Sequence, residues 1–271
     1  ENYQGMFARV SEAYADDNEH AQRLYDYMSK LWFMPATPVL SNGGAERGLP
    51  ISCFLNAVDD SLDSIVGAWT ENVWLASNGG GIGTYWGNVR SIGERIGRAG
   101  KTSGIIPFIR VMDSLTLAIS QGSLRRGSAA VYLDIHHPEI EEFLDIRKPT
   151  GGDVNRKSTN LHHAVTVSDE FMELIEGATR EEGFDDSWDL VDPHSGKVTK
   201  TVSAKTLWVK LIQNRVETGE PYIMFKDHVN RKSNQINRGI IRGSNLCVSG
   251  DTRVLCDVGE LYIKDINSGM K

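Results

Sequence analysis

From about residue 50 onward, segments with the character of buried strands alternate with segments that have helical periodicity. The segments typical of strands are 51–58, 129–135, 162–167 and 222–225. The segments with apolar residues three and four positions apart, as on one face of a helix, are 61–76, 105–120, 139–146, 169–175 and 204–218. This alternation predicts βαβ units, and therefore an α/β fold with a largely parallel sheet or barrel.

The regions outside this alternation give further expectations. Residues 4–33 have helical spacing that is interrupted near 16–18, and Pro35 and Pro38 then mark a turn. Residues 78–83 are dense in glycine and predict a loop, while 180–200 are polar and predict another. This second loop should carry a solvated acidic stretch, made of Asp185, Asp186, Asp189 and Asp192.

Composition and charge narrow the class of protein. The chain has 271 residues, a net charge of −7 and no run of five like charges, which argues against sequence-independent nucleic-acid binding. It has three cysteines, too few for a disulfide scaffold, and no apolar segment long enough to span a membrane. The N-terminus lacks the pattern of a signal peptide. These features predict a cytoplasmic, reducing location with no membrane association.

Adjacent histidines stand at His162 and His163 within a predicted strand. Neighbouring residues on a strand point to opposite faces, so a shared metal ion is disfavoured. We expect a structural role for both and predict no metal site.

Several short motifs could carry chemistry, although each has a structural alternative. A Ser-Cys pair at 52–53 places a hydroxyl beside a thiol, but a single cysteine is often a buried structural residue. The acidic segment 59–65 is also what an N-capped helix start looks like. Glycines 79–83 would let a ligand approach the backbone, yet they match no standard nucleotide motif.

Two further motifs lie later in the chain. The loop at 121–127 holds two arginines between glycines, and arginine can grip phosphate or base edges, although a solvated surface loop is the alternative. In Ser-Asn-Leu-Cys at 244–247, an amide stands two residues before a thiol, which puts both on one face of an extended strand. Such a pair suits a site that holds a polar substrate against a sulfur.

Taken together and in order, these motifs resemble the large catalytic subunit of ribonucleotide reductase. The matching elements run from about residue 30 to 246. They are Pro-Ala-Thr-Pro, Ser-Cys, Asp-Ser-Leu-Asp-Ser, Gly-Ile-Gly-x-x-x-Gly-x-x-Arg, Ser-Gln-Gly-x-x-Arg and Ser-Asn-Leu-Cys. The resemblance implies a ten-stranded α/β barrel made of two five-stranded halves. This chain would supply the first half in residues 35–246, after a helical segment in residues 1–34.

The resemblance also implies roles in catalysis. A cysteine thiyl radical takes the 3′-hydrogen of the ribose, and two further cysteines supply reducing equivalents. By position, Cys53 resembles one of this reducing pair, Asn245 the amide that holds the ribose hydroxyls and Cys247 the radical cysteine. The residues that resemble substrate contacts are Thr37, Ser52 and Gly81.

A second set of residues resembles the family's regulatory site, where dNTP or ATP effectors select among substrates. Asp60 and Arg90 resemble contacts to the allosteric nucleotide, and Gln121 and Arg125 resemble the loop that relays the choice. Arg126 stands where the family often has glycine. The implied partners are a radical-generating small subunit with a di-metal centre, thioredoxin or glutaredoxin, ribonucleotide substrates and a second large subunit. No cofactor is expected to bind this chain directly.

The sequence changes character at Cys247. The following Val-Ser-Gly-Asp-Thr is similar to the first block of inteins, whose opening cysteine attacks the preceding carbonyl. Residues 247–271 would then be a small β-rich intein fragment, with Cys247 as splicing nucleophile and the downstream half of the enzyme as partner. The alternative is a divergent piece of reductase. In either case we expect no activity from this chain alone.

Three function classes therefore remain open. The first is a ribonucleoside-diphosphate reductase fragment, with an adenosylcobalamin-dependent reductase as a variant. The second is a nucleotide-binding regulatory module without catalysis, and the third is a splicing precursor whose chemistry is protein ligation.

Overall fold

The computed structural model describes residues 1–46, 48–51, 53–98, 100–121, 125–126, 128–244, 253–256 and 259–262. Within them the helices are α1 Tyr3–Tyr14, α2 Asn18–Ser29, α3 Thr37–Asn42, α4 Leu62–Ser77, α5 Ile106–Ala118, α6 Ile140–Asp145, α7 Asp169–Arg180, α8 Ala204–Thr218 and α9 Lys226–Lys232. The strands are β1 Cys53–Ala57, β2 Gly81–Tyr85, β3 Arg95–Ile96, β4 Gly100–Lys101, β5 Ser120–Gln121, β6 Arg125–Arg126, β7 Ser128–Asp134, β8 His162–Val167, β9 Ser187–Val191, β10 Val198–Ser203, β11 Tyr222–Phe225, β12 Arg253–Cys256 and β13 Gly259–Tyr262.

Five of these strands form one parallel sheet in the order β1-β2-β7-β8-β11. The predicted α/β class and parallel sheet are thus confirmed. Each strand pairs with the strand that precedes it in this order, and a helical connection lies between them. Because such connections are right-handed, a sequential order places the crossover helices on one face of the sheet. The predicted total of ten strands stays a prediction.

The main core lies between the sheet and this helical layer. Ile82, Val131 and Val165 face the helices from three neighbouring strands, and Ile109 and Phe143 pack against them from α5 and α6. The opposite face carries a second, smaller cluster, whose buried members are Tyr85, Ala130, Tyr132, Ala164 and Met224. We call this opposite face the inner face. A sheet buried on both sides explains why its strands read as nearly continuous apolar runs.

The N-terminal helices follow their local capping signals. Asn2 accepts a hydrogen bond from Gly5 N, and Asp17 accepts one from His20 N, so the predicted break near residues 16–18 is confirmed. The predicted turn at the two prolines is wrong in part. Pro38 lies in the first turn of α3, where its missing N–H has no intrahelical partner to lose.

Two predicted loops are instead strands. Residues 187–191 and 198–203 form the β9–β10 hairpin, most of which lies in the segment 180–200 predicted to be a loop. Glycines 81 and 83 lie in β2 rather than in a loop, where they pair with β1 and β7. The helix α9 is also absent from the sequence-based expectation.

The prediction of a solvated acidic stretch in residues 185–192 is wrong for Asp192. Asp192 is completely buried and accepts hydrogen bonds from Ser91 N and Oγ at 2.7 Å, and from Ser195 N at 2.8 Å. Burial opposes its ionisation, yet these hydrogen bonds bring the pKa of Asp192 to about 2. Asp192 therefore fastens the β9–β10 turn to the residue that follows Arg90.

The two adjacent histidines have the expected structural role. His162 Nδ1 lies 2.6 Å from Glu220 Oε1, and His163 Nδ1 lies 3.0 Å from Glu220 Oε2. Burial lowers the pKa of His163, which favours its neutral form. Glu220 lies just before β11, and its two hydrogen bonds thus connect the start of β8 to the start of β11.

Beyond the sheet, β12 and β13 pair antiparallel, from Arg253 opposite Tyr262 to Cys256 opposite Gly259. The short hairpin expected after Cys247 is therefore present. Among the residues that the structure describes, no helix is long and apolar enough to cross a membrane.

Candidate active site on the inner face

Two of the predicted catalytic and substrate-binding residues lie side by side at the start of the sheet. Cys53 is the first residue of β1, and its parallel-register partner on β2 is Gly81. Partners in this register point to the same side, and here that side is the inner face. Cys53 is an exposed residue. Glycine at position 81 leaves the backbone of β2 open to close approach.

The chain returns over the inner face just before the Ser-Asn-Leu-Cys motif. A Cβ atom on Gly83 would lie 2.5 Å from the carbonyl oxygen of Ser244, and one on Gly243 would lie 3.1 Å from Cδ2 of Tyr132. Gly83 is therefore required for the close crossing of two backbones. The crossing point is one inner-face position along β2 from Gly81. We call residues 239–244 the return segment.

Between the return segment and β1 there is a cavity of about 380 Å³. Its walls include Leu55 and Ala57 from the inner face of β1, and Ile241 and Gly243 from the return segment. The cavity has the size of an ordinary small-ligand pocket. It lies on the same face of β1 as Cys53.

A polar cluster closes the carboxyl end of the inner face. The carboxylate of Asp134 accepts hydrogen bonds from the hydroxyls of Tyr85 and Thr166, and Lys226 Nζ lies 3.2 Å from its Oδ1. Burial opposes ionisation of Asp134, but Lys226, His136 and the two hydroxyls hold the pKa of its carboxyl below the usual range. Burial and the Asp134 carboxylate raise the pKa of Tyr85, so the phenol keeps its proton. We call Tyr85, Asp134, Thr166 and Lys226 the carboxyl-end cluster.

The predicted allosteric pair is also brought together. Arg90 Nε lies 2.9 Å from Asp60 Oδ1, and Arg90 Nη2 lies 2.8 Å from Asp60 Oδ2, which is a two-pronged ion pair. His194 Nδ1 approaches the same Asp60 Oδ2 at 2.7 Å. His194 lies in the β9–β10 turn, and Asp192 holds this turn to Ser91 by hydrogen bonds. The side chains of Asp60, Arg90 and His194 therefore form one group. His194 was not predicted from the sequence.

The remaining predicted residues are placed less completely. Thr37 is exposed at the start of α3, in the N-terminal helical part rather than on the sheet. Gln121 and Arg125 pair with each other across the two-residue strands β5 and β6. Ser52, Asn245 and Cys247 lie outside the residues that the structure describes.

Comparison with known proteins identifies the family. A model described as the ribonucleotide reductase barrel domain matches residues 51–265, and a model of the ribonucleotide reductase all-alpha domain matches residues 1–48. The chain belongs to the ribonucleotide reductase family. The predicted likeness to the N-terminal part of the large subunit is thereby confirmed.

Individual relatives agree with this result. The chain is 41% identical over 266 residues to the ribonucleoside-diphosphate reductase large subunit of Invertebrate iridescent virus 6, covering 97% of this chain and 27% of that protein. It is 36% identical to the large subunit of Arabidopsis thaliana, covering 91% of this chain and 32% of the relative. The class Id ribonucleotide reductase alpha subunit of Actinobacillus ureae superposes with a TM-score of 0.70 at 29% identity, covering 90% of this chain and 41% of that one.

The chain therefore spans only about a quarter to two-fifths of these relatives. The ribonucleotide reductase barrel match also continues past Cys247.

Local sequence signals could have found some of the missed residues. Asp134 ends a buried strand, which is where parallel sheets collect functional side chains, and Asp192 opens an Asp-Pro-His-Ser-Gly turn pattern.

Proposed function

We propose that this chain is the front part of a ribonucleoside-diphosphate reductase large subunit, and that ribonucleotides are reduced over its inner face. One observation carries the proposal. Cys53 and Gly81 are neighbours on the inner face, and the return segment crosses the same face immediately before Asn245 and Cys247. The Cys53 residue and the segment that leads to Cys247 thus lie on the same face of the sheet.

The proposed chemistry needs three cysteines. A thiyl radical at Cys247 takes the 3′-hydrogen of the ribose, and the 2′-hydroxyl leaves as water. Cys53 and a second thiol supply two electrons and two protons and become a disulfide, while the 3′-hydrogen returns to the sugar. Sulfur suits both tasks, because it stabilises a one-electron state and forms S–S bonds readily. Thioredoxin or glutaredoxin then reduces the disulfide.

The remaining assignments concern substrate binding. Thr37, Ser52 and Gly81 are proposed to contact phosphate and ribose oxygens, and Asn245 to hold the ribose hydroxyls. The exposed position of Cys53 and the neighbouring cavity support a site of this kind, since both are accessible from one side of β1.

The experiment compares two cysteine variants of the full-length large subunit, assayed with its small subunit. Cys53→Ser should abolish multiple turnovers with thioredoxin, because a hydroxyl cannot form the disulfide. Cys256→Ser, an equal change in the hairpin beyond Cys247, is the matched control and should retain activity. Normal multiple turnover by Cys53→Ser would contradict the assignment. Tight dNTP binding by a wild-type protein without any turnover would favour the non-catalytic regulatory module.

We further propose that Asp60, Arg90, Gln121 and Arg125 belong to a site for dNTP or ATP effectors. The two-pronged pair of Asp60 with Arg90 supports this, because it brings a carboxylate and a guanidinium together at one partly exposed place. Arginine offers a planar fork that matches phosphate. Arg90→Ala should raise the Kd for dTTP without lowering basal turnover. An unchanged Kd would contradict the assignment.

A second copy of the chain is proposed to pack on α4 and α5. These helices contact each other through Trp69 and Phe108, whose ring centroids lie 6.1 Å apart. Large apolar side chains on the two helices remain more than half exposed, namely Leu62 (65%), Trp74 (67%) and Leu117 (62%). Large apolar side chains that stay exposed on two neighbouring helices favour an interaction surface there.

The source of the radical is proposed to be a small subunit with a di-metal centre. An adenosylcobalamin-dependent reductase is the alternative. The full-length protein should turn over only when the small subunit is added. Turnover with adenosylcobalamin and no small subunit would favour the alternative.

A second candidate function is protein splicing at Cys247. The antiparallel β12–β13 pair supports it, since a short hairpin fits a β-rich intein start better than another βα unit. Mixing the chain with its downstream half should then yield a longer ligated product and release about 25 residues, as measured by intact mass. Cys247→Ala should abolish the product. Turnover by the mixture without ligation would instead indicate a divergent piece of reductase.

A further inference from the structure

Arg242 is the last charged residue before the Ser-Asn-Leu-Cys motif, three positions ahead of Asn245. Its guanidinium carbon lies 5.6 Å from the centroid of the Tyr85 ring. Its Nη1 donates a hydrogen bond to Asn88 Oδ1 at 3.2 Å. Both contacts are made to the end of β2 and to the loop that follows it. The side chain therefore attaches the return segment to the carboxyl end of the sheet.

The surface beneath Arg242 is held by several strands. Tyr85 is only 7% exposed, and its hydroxyl is bound by Asp134 of β7, which Thr166 of β8 and Lys226 of α9 also hold. A phenol that donates a hydrogen bond to a carboxylate is richer in electrons, so its ring attracts a cation more strongly. The carboxyl-end cluster thus provides a fixed and electron-rich place for the guanidinium.

Two backbone attachments lie on either side of this contact. The side chain of Asn230 donates to Ile241 O at 3.0 Å and accepts from Ile241 N at 2.7 Å. After Arg242, Gly243 packs on Tyr132 and Ser244 crosses Gly83. Between these two attachments, the side chain of Arg242 holds the return segment to Tyr85 and Asn88. From there the chain runs along the inner face of β2 from Tyr85 to Gly83, in the direction of Gly81.

We propose that Arg242 is a positioning residue, which sets the path of the return segment and thereby the distance between the Asn245–Cys247 motif and the substrate. The inference rests on the proposed reductase function but is carried by different contacts. A misplacement of about 1 Å far from the reacting atoms can lower a rate by about 100-fold. Arg242 also lines the cavity beside β1, so KM can change as well, but the larger loss should fall on kcat, which depends on the position of Cys247.

The test uses the full-length large subunit with its small subunit and three substitutions. Arg242→Gln removes the charge, and we expect kcat to fall by about 10- to 100-fold, with a smaller rise in KM and with dTTP binding within about twofold. Arg242→Lys keeps a cation over Tyr85 and should restore most of the lost kcat. Arg215→Gln is the matched control, because Arg215 lies on α8 and makes a similar contact with Tyr222, at 6.0 Å. It should leave kcat unchanged.

Hydrogen exchange supplies a readout that does not depend on turnover. A peptide covering residues 239–244 should exchange faster in Arg242→Gln than in the wild type, and Arg242→Lys should return toward the wild-type rate. If the wild type lacked reductase activity, the proposed function would fail while this readout still tested the inference. Unchanged exchange, or full kcat in Arg242→Gln, would overturn the role of Arg242. The role of Arg242 would also be overturned if Arg242→Lys did not restore kcat and Arg215→Gln lowered kcat to the same extent.

Discussion

Asp192 offers the sharpest test of how the β9–β10 turn is held, because one carboxylate satisfies donors from two distant parts of the chain. Its Oδ2 accepts from Ser91 N and Oγ, and its Oδ1 accepts from His194 N at 3.0 Å, Ser195 N at 2.8 Å and Ser195 Oγ at 3.0 Å. In Asp192→Ala the hydroxyls can rotate to other partners, but the backbone N–H groups cannot.

The expected magnitude follows from where those N–H groups lie. Ser91 is 1% exposed, so its N–H would be left buried without an acceptor, at a cost of about 1–3 kcal/mol. The turn at His194 and Ser195 is open to water, so its lost charge-assisted bonds add roughly 1–2 kcal/mol. A total of about 3 kcal/mol corresponds to a fall in Tm of roughly 6–12 °C for a chain of this size.

The assay is thermal unfolding of this 271-residue chain, followed by circular dichroism. Asp189→Ala is the control, because Asp189 lies in the same acidic segment but is exposed and accepts one side-chain hydrogen bond, from Thr201 at 2.6 Å. It should change stability by no more than about 0.5 kcal/mol. Asp192→Ala should also weaken dTTP binding, since His194 would leave Asp60. Equal Tm values for the two variants would refute the reasoning.

Three further outcomes are expected. Gly83→Ala should abolish turnover with dTTP binding retained, because the new Cβ would lie 2.5 Å from Ser244 O, and steady-state kinetics with a binding titration would check it. Trp74→Glu should convert a dimer to a monomer in light scattering, whereas Val216→Glu, an equal change at an 82% exposed site on α8, should not. Burial opposes ionisation of Glu220, but the hydrogen bonds from His162 and His163 bring the pKa of Glu220 to about 2. The ionised carboxylate therefore contributes fully to stability above about pH 4.5, and this contribution is lost as the pH falls toward 2. Tm measured over that range should therefore fall less in Glu220→Gln, and an equal fall would contradict this account.

The sheet could be predicted from the sequence because its signals are local. The strands β7, β8 and β11 appear as short apolar runs. Segment 59–65 does contain an N-capped helix start, since the Ser61 hydroxyl accepts a hydrogen bond from Ser64 N at the start of α4. Such patterns depend on a few neighbouring residues. The register partners Cys53 and Gly81 also follow once the strand order is known.

The missed features have non-local causes. In β9, the alternation of exposed Asp189 with buried Trp188 and Leu190 is a strand signal, but the surrounding acidic residues suggested a solvated loop. The contact of Asp192 with Ser91 joins residues 101 positions apart. No local pattern specifies such a pair. The glycines of β2 predict a loop because glycine usually disfavours strands, whereas in the structure Gly83 lies beneath another backbone.

The sequential strand order has a consequence for how the chain can be made. Every strand pair of the five-stranded sheet is complete by Phe225, and each strand meets a partner that has already been synthesised. The sheet can therefore assemble from its N-terminal edge as the chain leaves the ribosome, without waiting for later residues. An interruption after the return segment, whether by an inserted sequence or by a gene boundary, would cut no hydrogen-bonded ladder of this sheet. Position 247 is thus a place where the gene could be divided at little structural cost to the part that precedes it.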